Sequence, residues 1–375
     1  MKLQTPFIGL MLLGVPIVST LPAQTPVMTP EFRRSPQVFQ GGVGTWGMNV
    51  ADIDSDGDLD IVLPVLRTPS LILLNDGKGM FSASGQALPN EMHGIAIGDV
   101  DRDGDLDLFF APVRDQRRPL FLNDGHGMFQ QTALVVNASE TVALIDLESD
   151  GDLDAYLGNL GGESLVWKND GRAGFTRTAI PVPGYSTPCD LNGDKYVDFV
   201  GATGRFATRR LVAYINYGLG GFQEYASVPK SDYVWGSFDF ADVDSDGDND
   251  VLWTNGLEDE ALPSGVLLND GTGRLSLGTQ PLASTTIYGY IRAGDLNGDG
   301  LSDMVVTNSE APAQVWLNIG RGRFEDSGIR LGEGKGWADC ALEDLDGDGD
   351  LDVFIVDRPT GHHGLWFNDT KVSKR

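Results

Sequence analysis

The chain has 375 residues, of which 41% are hydrophobic, and its formal net charge is −27. The hydrophobic content excludes a disordered acidic protein. The acidity argues against nucleic acid as a partner, because nucleic-acid binding requires basic stripes. A chain of this length ordinarily forms two domains, unless a repeat array makes it one structural unit.

The first 23 residues are typical of a secretory signal peptide. Lys2 precedes an apolar stretch from Phe7 to Val18, and small residues precede a cleavage point near Ala23. The stretch is shorter than the roughly 20 residues that span a bilayer, and no later segment approaches that length. We therefore expect a secreted protein, extracellular or periplasmic, without a membrane span. Residues 24–31 form a linker.

The nine residues from Asp52 to Asp60 carry carboxylates at positions 1, 3, 5 and 9 and a glycine, Gly57, at position 6. Four negative charges this close repel one another unless a cation lies among them. Ca²⁺ selects hard oxygen ligands at alternate positions around a sharp glycine turn. An EF-hand begins in the same way, but it needs a Glu at position 12 and flanking helices. Here an apolar run follows position 9 at once, which predicts a calcium loop between two strands.

The same loop recurs seven times, with starts 44 to 53 residues apart. A period near 50 with strand-like segments is typical of a propeller or a solenoid. We expect up to seven Ca²⁺ ions, and the expected ligands are Asp52, Asp54, Asp56 and Asp60; Asp99, Asp101, Asp103 and Asp107; Asp146, Glu148, Asp150 and Asp154; Asp190, Asn192, Asp194 and Asp198; Asp242, Asp244, Asp246 and Asp250; Asp295, Asn297, Asp299 and Asp303; Asp344, Asp346, Asp348 and Asp352. Two loops depart from the pattern. Lys195 replaces the glycine of the fourth loop, which puts Ca²⁺ there in doubt, and Glu148 of the third is longer than Asp.

A second landmark follows about 23 residues after each loop begins: an apolar run, an Asn and a glycine turn, usually ending in Phe. The first copy is LILLNDGKGMF, which ends at Phe81. Asn-Asp-Gly between two apolar runs predicts a hairpin, because these residues tolerate positive φ. Each unit is therefore expected to contain four antiparallel strands, with the calcium loop between the first and second. Four such strands form one propeller blade.

The two ends of the array predict how it closes. The seventh unit stops at Asn368 and Asp369 without its last strand, and an unmatched Phe32 lies 20 residues before Asp52. We expect the N-terminal strand to complete the last blade of a seven-bladed all-β ring over residues 32–369, before a basic tail at 370–375. Closure hides the edges that an open array, the alternative, would expose. Cys189 and Cys340 then fall in blades that are not neighbours, so we expect two free thiols.

The repeated DxDxDGxxD loop, the apolar strand after it and the NDGxGxF turn resemble the FG-GAP/VCBS repeat. The resemblance extends from Phe32 to Asp369. It implies a propeller like that of integrin α-subunits and of many secreted bacterial proteins. It says less about function, because the family includes adhesion modules, lectin-like binders and propellers attached to polysaccharide-degrading enzymes.

In this strand order, the calcium loops and the Asn-Asp-Gly turns share one face of the ring. That face is built from repetition, so we expect a structural role for it, with Ca²⁺-regulated partner binding as the alternative. The loops between second and third strands and between blades lie on the opposite face. They are irregular, and functional loops are usually the irregular ones on a rigid scaffold.

One set of candidate ligand-binding residues on the opposite face lies six or seven residues before a calcium loop and is expected to surround the channel mouth. Its members are Trp46, His93, Trp235, Tyr288 and Trp337. Aromatic rings there would stack on sugars or hold a peptide. Alternatively, they plug the channel or pack between blades.

A second set consists of arginines in two loops that join second to third strands: Arg114, Arg117 and Arg118, and Arg205, Arg209 and Arg210. Among them, we expect ligand binding by Arg117, Arg118 and Arg209. They would bind carboxylate or sulfate groups, or they would pair with local acids such as Asp115.

Catalytic motifs are weak. The chain has no HExxH, GxSxG or P-loop, and its one GxGxxG match, at Gly42, does not open a helix. We therefore expect a monomeric, calcium-stabilised module that binds an extracellular glycan or protein through the face opposite the calcium loops. An extracellular polysaccharide lyase or hydrolase on the same scaffold stays open as the alternative.

Overall fold

The computed structural model describes residues 28–39, 41–115, 117–159, 164–178, 186–203, 210–218, 221–227, 236–254, 264–278, 289–332 and 336–370. The expected signal peptide, residues 1–23, lies outside these ranges, as do residues 24–27 of the linker and 371–375 of the tail. The regular structure of the described residues is entirely β, with 28 strands in seven sheets of four. In this part of the chain, no helix has the length and apolarity needed to cross a bilayer.

The strands are numbered in chain order, and each sheet is one blade. Strand β1 spans Phe32–Arg34. Blade 1 contains β2 (Asn49–Ala51), β3 (Asp60–Leu63), β4 (Leu71–Asn75) and β5 (Phe81–Ala83). Blade 2 contains β6 (Met92–Gly98), β7 (Asp107–Pro112), β8 (Leu120–Asn123) and β9 (Phe129–Gln131). Blade 3 contains β10 (Thr141–Ile145), β11 (Asp154–Gly158), β12 (Leu165–Lys168) and β13 (Thr176–Thr178).

The remaining blades follow the same plan. Blade 4 contains β14 (Ser186–Cys189), β15 (Asp198–Thr203), β16 (Arg210–Asn216) and β17 (Phe222–Ser227). Blade 5 contains β18 (Phe238–Ala241), β19 (Asp250–Trp253), β20 (Gly265–Asn269) and β21 (Leu275–Leu277). Blade 6 contains β22 (Ile291–Gly294), β23 (Asp303–Val306), β24 (Ala313–Asn318) and β25 (Phe324–Leu331). Blade 7 contains β26 (Trp337–Glu343), β27 (Asp352–Asp357) and β28 (Gly364–Asn368).

The ring closes through the N-terminal strand. In blades 1 to 6, four consecutive strands pair antiparallel, whereas blade 7 has the order β26-β27-β28-β1. Phe32 pairs with Asn368 and Arg34 with Trp366. The first strands line the centre, where β6 lies beside β2 and β10, and β26 lies beside β22 and β2. The expected seven-bladed ring with its N-terminal closure is confirmed.

The hydrophobic core lies between neighbouring blades. Ile61 and Leu63 of β3 pack into a cluster that includes Phe354 of blade 7. Val62, between them in sequence, packs into a cluster with Leu108 of blade 2. Successive side chains of a strand point to opposite faces of its sheet, so each strand contributes to two interfaces. Every blade therefore depends on both of its neighbours.

A buried aspartate and an asparagine connect each aspartate-rich loop to the third strand of its blade. In blade 2, the Asp107 carboxylate accepts hydrogen bonds from the backbone N–H of Val100 (3.0 Å) and of Asn123 (2.9 Å). The Asn123 side-chain amide donates to the carbonyl of Ile53, in the loop of blade 1 (2.8 Å). The equivalent Asn amides make this bond to the preceding blade at 2.7 to 3.4 Å in all seven blades. The connection therefore runs around the whole ring.

We expect Asn123→Ala to lower the free energy of unfolding by about 2–3 kcal/mol, because it leaves buried backbone groups without partners. The side chain also donates to the Leu106 carbonyl and accepts from the Gly127 N–H. Chemical denaturation in saturating Ca²⁺ measures the change. His126→Ala, an exposed substitution in the same turn, is the control and should change little. Equal stability of the two variants would contradict a structural role for the amide.

Candidate functional site

The aspartate loops lie between the first and second strands, and their backbone turns the carboxylates inward. In the first loop, the Asp52 carboxylate accepts from the backbone N–H groups of Asp56 (3.1 Å) and Gly57 (3.0 Å). Gly57 has φ of 99° and Ser55 has φ of 62°. The left-handed conformation at Gly57 is natural for glycine, but at Ser55 it is unfavourable for an L-residue. The folded loop therefore contains an unfavourable backbone conformation, at Ser55, and a group of like charges, and both require a stabilising interaction.

Position 3 differs among the loops. In loops 1, 2, 3, 5 and 7, one carboxylate oxygen of this residue is buried without a hydrogen-bond partner; the residues are Asp54, Asp101, Glu148, Asp244 and Asp346. In loops 1, 2, 5 and 7, but not in loop 3 as far as its residues are described, ligand atoms of three carboxylates also lie within 4.8 Å of one another. Burial raises the pKa of each position-3 aspartate in these four loops, and the neighbouring carboxylates act in the same direction. Converging oxygens without donors fit a hard cation such as Ca²⁺.

Loops 4 and 6 fill position 3 differently. The side-chain amide of Asn192 donates to Asp194 (2.9 Å), and that of Asn297 donates to Asp299 (3.1 Å). An amide N–H inside the loop supplies the hydrogen bond that a carboxylate lacks. Lys195, at the glycine position of loop 4, has φ of 71°. Among the described residues, neither loop brings three carboxylates within 4.8 Å.

Loop 3 contains side-chain cations. The ammonium group of Lys168, the last residue of β12, pairs with Glu148 at position 3. Arg102, from loop 2, forms an ion pair with Asp152 (2.7 Å) and donates to the backbone carbonyl of Asp150 (3.1 Å). This loop therefore has positive charge from two side chains of the protein.

Position 9 has a structural role besides the predicted one. Both oxygens of the buried Asp60 accept backbone hydrogen bonds, from Ile53 (3.2 Å) and Asn75 (2.8 Å). Burial raises the pKa of Asp60 to about 6 and that of Asp303 to about 7. A nearby divalent cation would oppose this by favouring the charged form. The role of position 9 as a calcium ligand stays a prediction, although Asp107 does belong to the carboxylate group of loop 2.

On the opposite face, Trp46 and His93 come together. Their rings stack with centroids 5.4 Å apart and an interplanar angle of 18°. The His93 ring lies 2.9 Å, through Nδ1, from the carbonyl of Glu140, and burial lowers the pKa of His93. Trp235 and Tyr288 lie outside the described residues. Trp337 begins β26, but its side chain lies outside the described part of the chain.

The first arginine loop is partly neutralised by a local acid. Arg114 forms an ion pair with Glu91 at 3.0 Å, and Arg117 pairs with the other oxygen of the same carboxylate. Arg118 is exposed. The candidate Arg209 lies outside the described residues, as does Arg205, and only the backbone of Arg210 is described, at the start of β16. Pairing with an acid, the alternative role, is thus seen at Glu91 rather than at Asp115.

A pocket of about 430 Å³ opens on this face between blades 6, 7 and 1; among the residues that line it are Trp46, Leu66, Arg67, Tyr290, Arg358 and Pro359. The guanidinium carbon of Arg358 lies 3.2 Å from the centroid of the Trp46 ring. The sequence pattern identified only Trp46 as a candidate here. The pattern did not identify Arg67 and Arg358. Both lie in connections between second and third strands, which the sequence already placed on this face, and that position could have identified them.

Backbone hydrogen bonds join the three blades beneath the pocket. The N–H of Gly44 donates to the carbonyl of Arg358 (2.9 Å), the N–H of Arg358 donates to Gly336 (3.2 Å), and the N–H of Gly336 donates to Ser309 (2.7 Å). These bonds link the chain before β2, the loop after β27, the chain before β26 and the loop after β23. The pocket wall is therefore held by paired backbone.

Inside the channel, a second cavity of about 360 Å³ contains Asp239, Arg292 and Cys340 in its lining. Arg292 forms an ion pair with Asp339 at 2.6 Å. Asp239 accepts a hydrogen bond from the Ala293 N–H (2.7 Å), and Arg292 opposes the upward shift that burial causes in the pKa of both acids. These carboxylates are already compensated. Cys340 and Cys189 are both free thiols, as expected.

The fold and the loops together define the class of the protein, a seven-bladed β-propeller with an aspartate-rich loop in every blade. Residues 190–253 and 295–355 match the family model described as FG-GAP-like repeat. These segments cover parts of blades 4 to 7, and the other blades repeat the same strand order. These matched repeats and the seven-bladed ring are consistent with an FG-GAP repeat propeller, as the resemblance of the sequence predicted.

Solved structures of low sequence identity are similar to this chain. The crystal structure of BBS1N in complex with ARL6DN, soaked with mercury, covers 93% of this chain and 98% of that chain, with a TM-score of 0.61 and 12% identity. The lead-soaked form has a TM-score of 0.58 over the same shares, also at 12% identity. The Photorhabdus luminescens Tc holotoxin pore is similar over 91% of this chain and 14% of that chain, with a TM-score of 0.46 and 16% identity. Comparison with curated proteins gave no match.

Proposed function

We propose that this chain is a secreted, monomeric propeller, stabilised by Ca²⁺, that binds an extracellular glycan or protein through the face opposite its aspartate loops. The observation that carries the proposal is the pocket in which Arg358 stacks on Trp46. Residues 1–23 are the export signal in this proposal.

The composition of the pocket favours binding over hydrolysis. Its lining combines aromatic rings, guanidinium groups and apolar side chains, and the described residues that line it include no carboxylate. Most glycosidases act through a pair of carboxylates that flank the scissile bond. A propeller of this fold, BBS1N, is crystallised in complex with another protein, ARL6DN. That complex supports a protein as the alternative to a glycan ligand.

Calcium has a structural role in the proposal. We place Ca²⁺ in loops 1, 2, 5 and 7, where the position-3 aspartate has an unpaired buried oxygen and three carboxylates converge. The ion would lie among the carboxylates of positions 1, 3 and 5 in loops 1, 5 and 7, and among those of positions 1, 3 and 9 in loop 2. It would offset their repulsion and so hold the left-handed residues of the loop in place.

We expect about four Ca²⁺ ions to bind per chain by equilibrium dialysis, and we expect a chelator to lower the thermal midpoint. Each tenfold excess of Ca²⁺ over its dissociation constant adds about 1.4 kcal/mol per site to the stability of the folded state. Asp54→Asn should remove one ion. Asp326→Asn, which removes the same charge outside the loops, is the control and should keep the count. An unchanged midpoint after chelation would show that the loops hold no stabilising ion.

We expect the calcium-loaded protein to be retained on members of a panel of immobilised glycans and extracellular proteins without producing new chain ends. Trp46→Ala should weaken retention at least tenfold at an unchanged thermal midpoint, because it releases Arg358 from its stacked position. Tyr225→Ala, which removes an exposed aromatic ring from the outer strand β17, is the matched control. New chain ends would establish the enzyme alternative, and full retention by Trp46→Ala would exclude this pocket.

A further inference from the structure

We propose that the pocket at Trp46 and Arg358 binds the carboxylate or sulfate group of an acidic saccharide residue. This inference rests on the proposed function, that the face opposite the aspartate loops binds an extracellular ligand. It narrows that ligand to a glycan with uronate or sulfated sugars. It assigns recognition of the anionic group to Arg67 of blade 1 and Arg358 of blade 7, the two blades that meet where the ring closes.

The Trp46 ring is already occupied by side chains of the protein. Arg358 lies over the ring at 3.2 Å from its centroid, and His93 stacks on the same ring. A ring used in this way is not a free platform for a neutral sugar. Its effect is to position Arg358, because an arginine stacked on an aromatic face keeps its N–H groups available at the edge of the guanidinium plane. Those groups match the two oxygens of a carboxylate or sulfate.

A second guanidinium group faces the same pocket. Arg67 lies in the loop between β3 and β4 and is exposed. Burial lowers the pKa of Arg358, and the positive charge of Arg67 acts in the same direction. Both groups line the same pocket, so an anion bound between them would offset the repulsion of their charges.

These two arginines differ from others on the chain. Arg117 is paired with Glu91, Arg292 with Asp339, and Arg330 with Asp326. Within the described residues, neither Arg67 nor Arg358 has an acidic group within ion-pair distance. On a chain with a net charge of −27, two arginines left together create a local positive potential that would attract an anionic ligand. The negative charge of the rest of the surface opposes non-specific binding of polyanions.

The rest of the lining fits a sugar ring. Leu66 and Pro359 provide apolar surface, and Tyr290 and Ser309 carry hydroxyl groups. A sugar ring likewise combines an apolar face of C–H groups with a polar edge of hydroxyl groups, so its two surfaces match the two kinds of lining. The volume of about 430 Å³ lies near the lower end of the range of about 300–1,000 Å³ for small-ligand pockets. This size favours one end or one unit of a glycan over an extended peptide.

The test is calorimetric titration of the calcium-loaded full chain with short oligosaccharides: an oligogalacturonate, its carboxyl-reduced neutral form, a sulfated oligosaccharide and an oligoglutamate. We expect an acidic sugar to bind at least tenfold more tightly than the neutral form. Arg358→Gln should weaken this binding at least tenfold without changing the calcium count or the thermal midpoint, and Arg67→Gln should weaken it less. Arg330→Gln, which alters an arginine already paired with Asp326 on the outer strand β25, should change it less than twofold.

The outcomes separate the two proposals. Preference for the uronate or for the sulfated sugar identifies the anionic group and supports the inference. Equal binding of acidic and neutral sugars that is lost in Trp46→Ala but kept in Arg358→Gln would overturn the inference and leave the proposed function standing. Tighter binding of oligoglutamate would overturn it in favour of a protein ligand. If none of the four binds and the wider panel of glycans and proteins is also not retained, both proposals fail.

A different observation carries a second inference: in the third loop, we infer that the ammonium group of Lys168 takes the place of Ca²⁺. Glu148 is the only glutamate at position 3 of the seven loops. Lys168 is the only charged residue in its position, directly before the Asn that ends the third strand; the equivalents are Leu74, Leu122, Ile215, Leu268, Leu317 and Phe367.

Glu148 and Lys168, each unlike its equivalents in the other six blades, fall in the same blade, and their side chains pair. The additional methylene of Glu148 extends its carboxylate further from the backbone than an Asp would. Arg102 adds a second positive charge through Asp152. Lys168 contacts one oxygen of Glu148, and the other oxygen is buried without a hydrogen-bond partner. In this inference, the two cationic side chains offset the repulsion among the acids of the loop without a metal ion.

An exchange between blades tests this inference by counting bound Ca²⁺. The variant Glu148→Asp with Lys168→Leu gives blade 3 the residues of blade 2, and it should bind one more ion than the original chain. The reciprocal variant, Asp101→Glu with Leu122→Lys, should bind one fewer and should lose part of its sensitivity to chelator. Circular dichroism confirms that both are folded. An unchanged count in the folded first variant would overturn the inference.

Discussion

The hydrogen bonds around the buried position-9 aspartate are the interaction on which the ring depends. Asp60 holds the start of its loop through Ile53 and the end of the third strand through Asn75, whose amide reaches the Leu345 carbonyl of blade 7. A carboxylate buried without partners would be strongly unfavourable, so these bonds are obligatory. Because the same residue serves the loop, the blade and the blade interface, a change at this position would affect all three.

This constraint explains why the two faces differ. On the face of the aspartate loops, each blade must repeat the loop and the Asn turn, because both are used to join it to its neighbour. The connections between second and third strands take no part in these hydrogen bonds between blades, and they differ in length and charge. Arg67 and Arg358 lie in two of these connections, and closure of the ring between blades 7 and 1 brings them to one pocket. Variable chemistry is thereby placed on a rigid base, as is common for binding sites.

Position 3 shows how one site in the repeat accepts three local solutions. An aspartate leaves an oxygen without a donor, as in Asp54. An asparagine replaces one oxygen by a donor and satisfies the loop internally, as Asn297 does with Asp299. A glutamate reaches a lysine with one of its oxygens, as Glu148 does with Lys168. The nine-residue spacing is the same in all three, so the spacing alone predicts the loop but not its cation.

The sequence by itself determined the fold of this protein. The DxDxDGxxD spacing, the Asn-Asp-Gly turns and the position of Phe32 predicted seven four-stranded blades and the strand that closes them, because these signals are local or repeat at a constant period. Only the tertiary structure decided which side chains meet. Trp46 and Arg358 come from opposite ends of the chain, and the partners of Lys168 and of each Asn amide lie on other strands or in other blades. No local pattern encodes these contacts, because they arise only when the closed ring brings distant segments together.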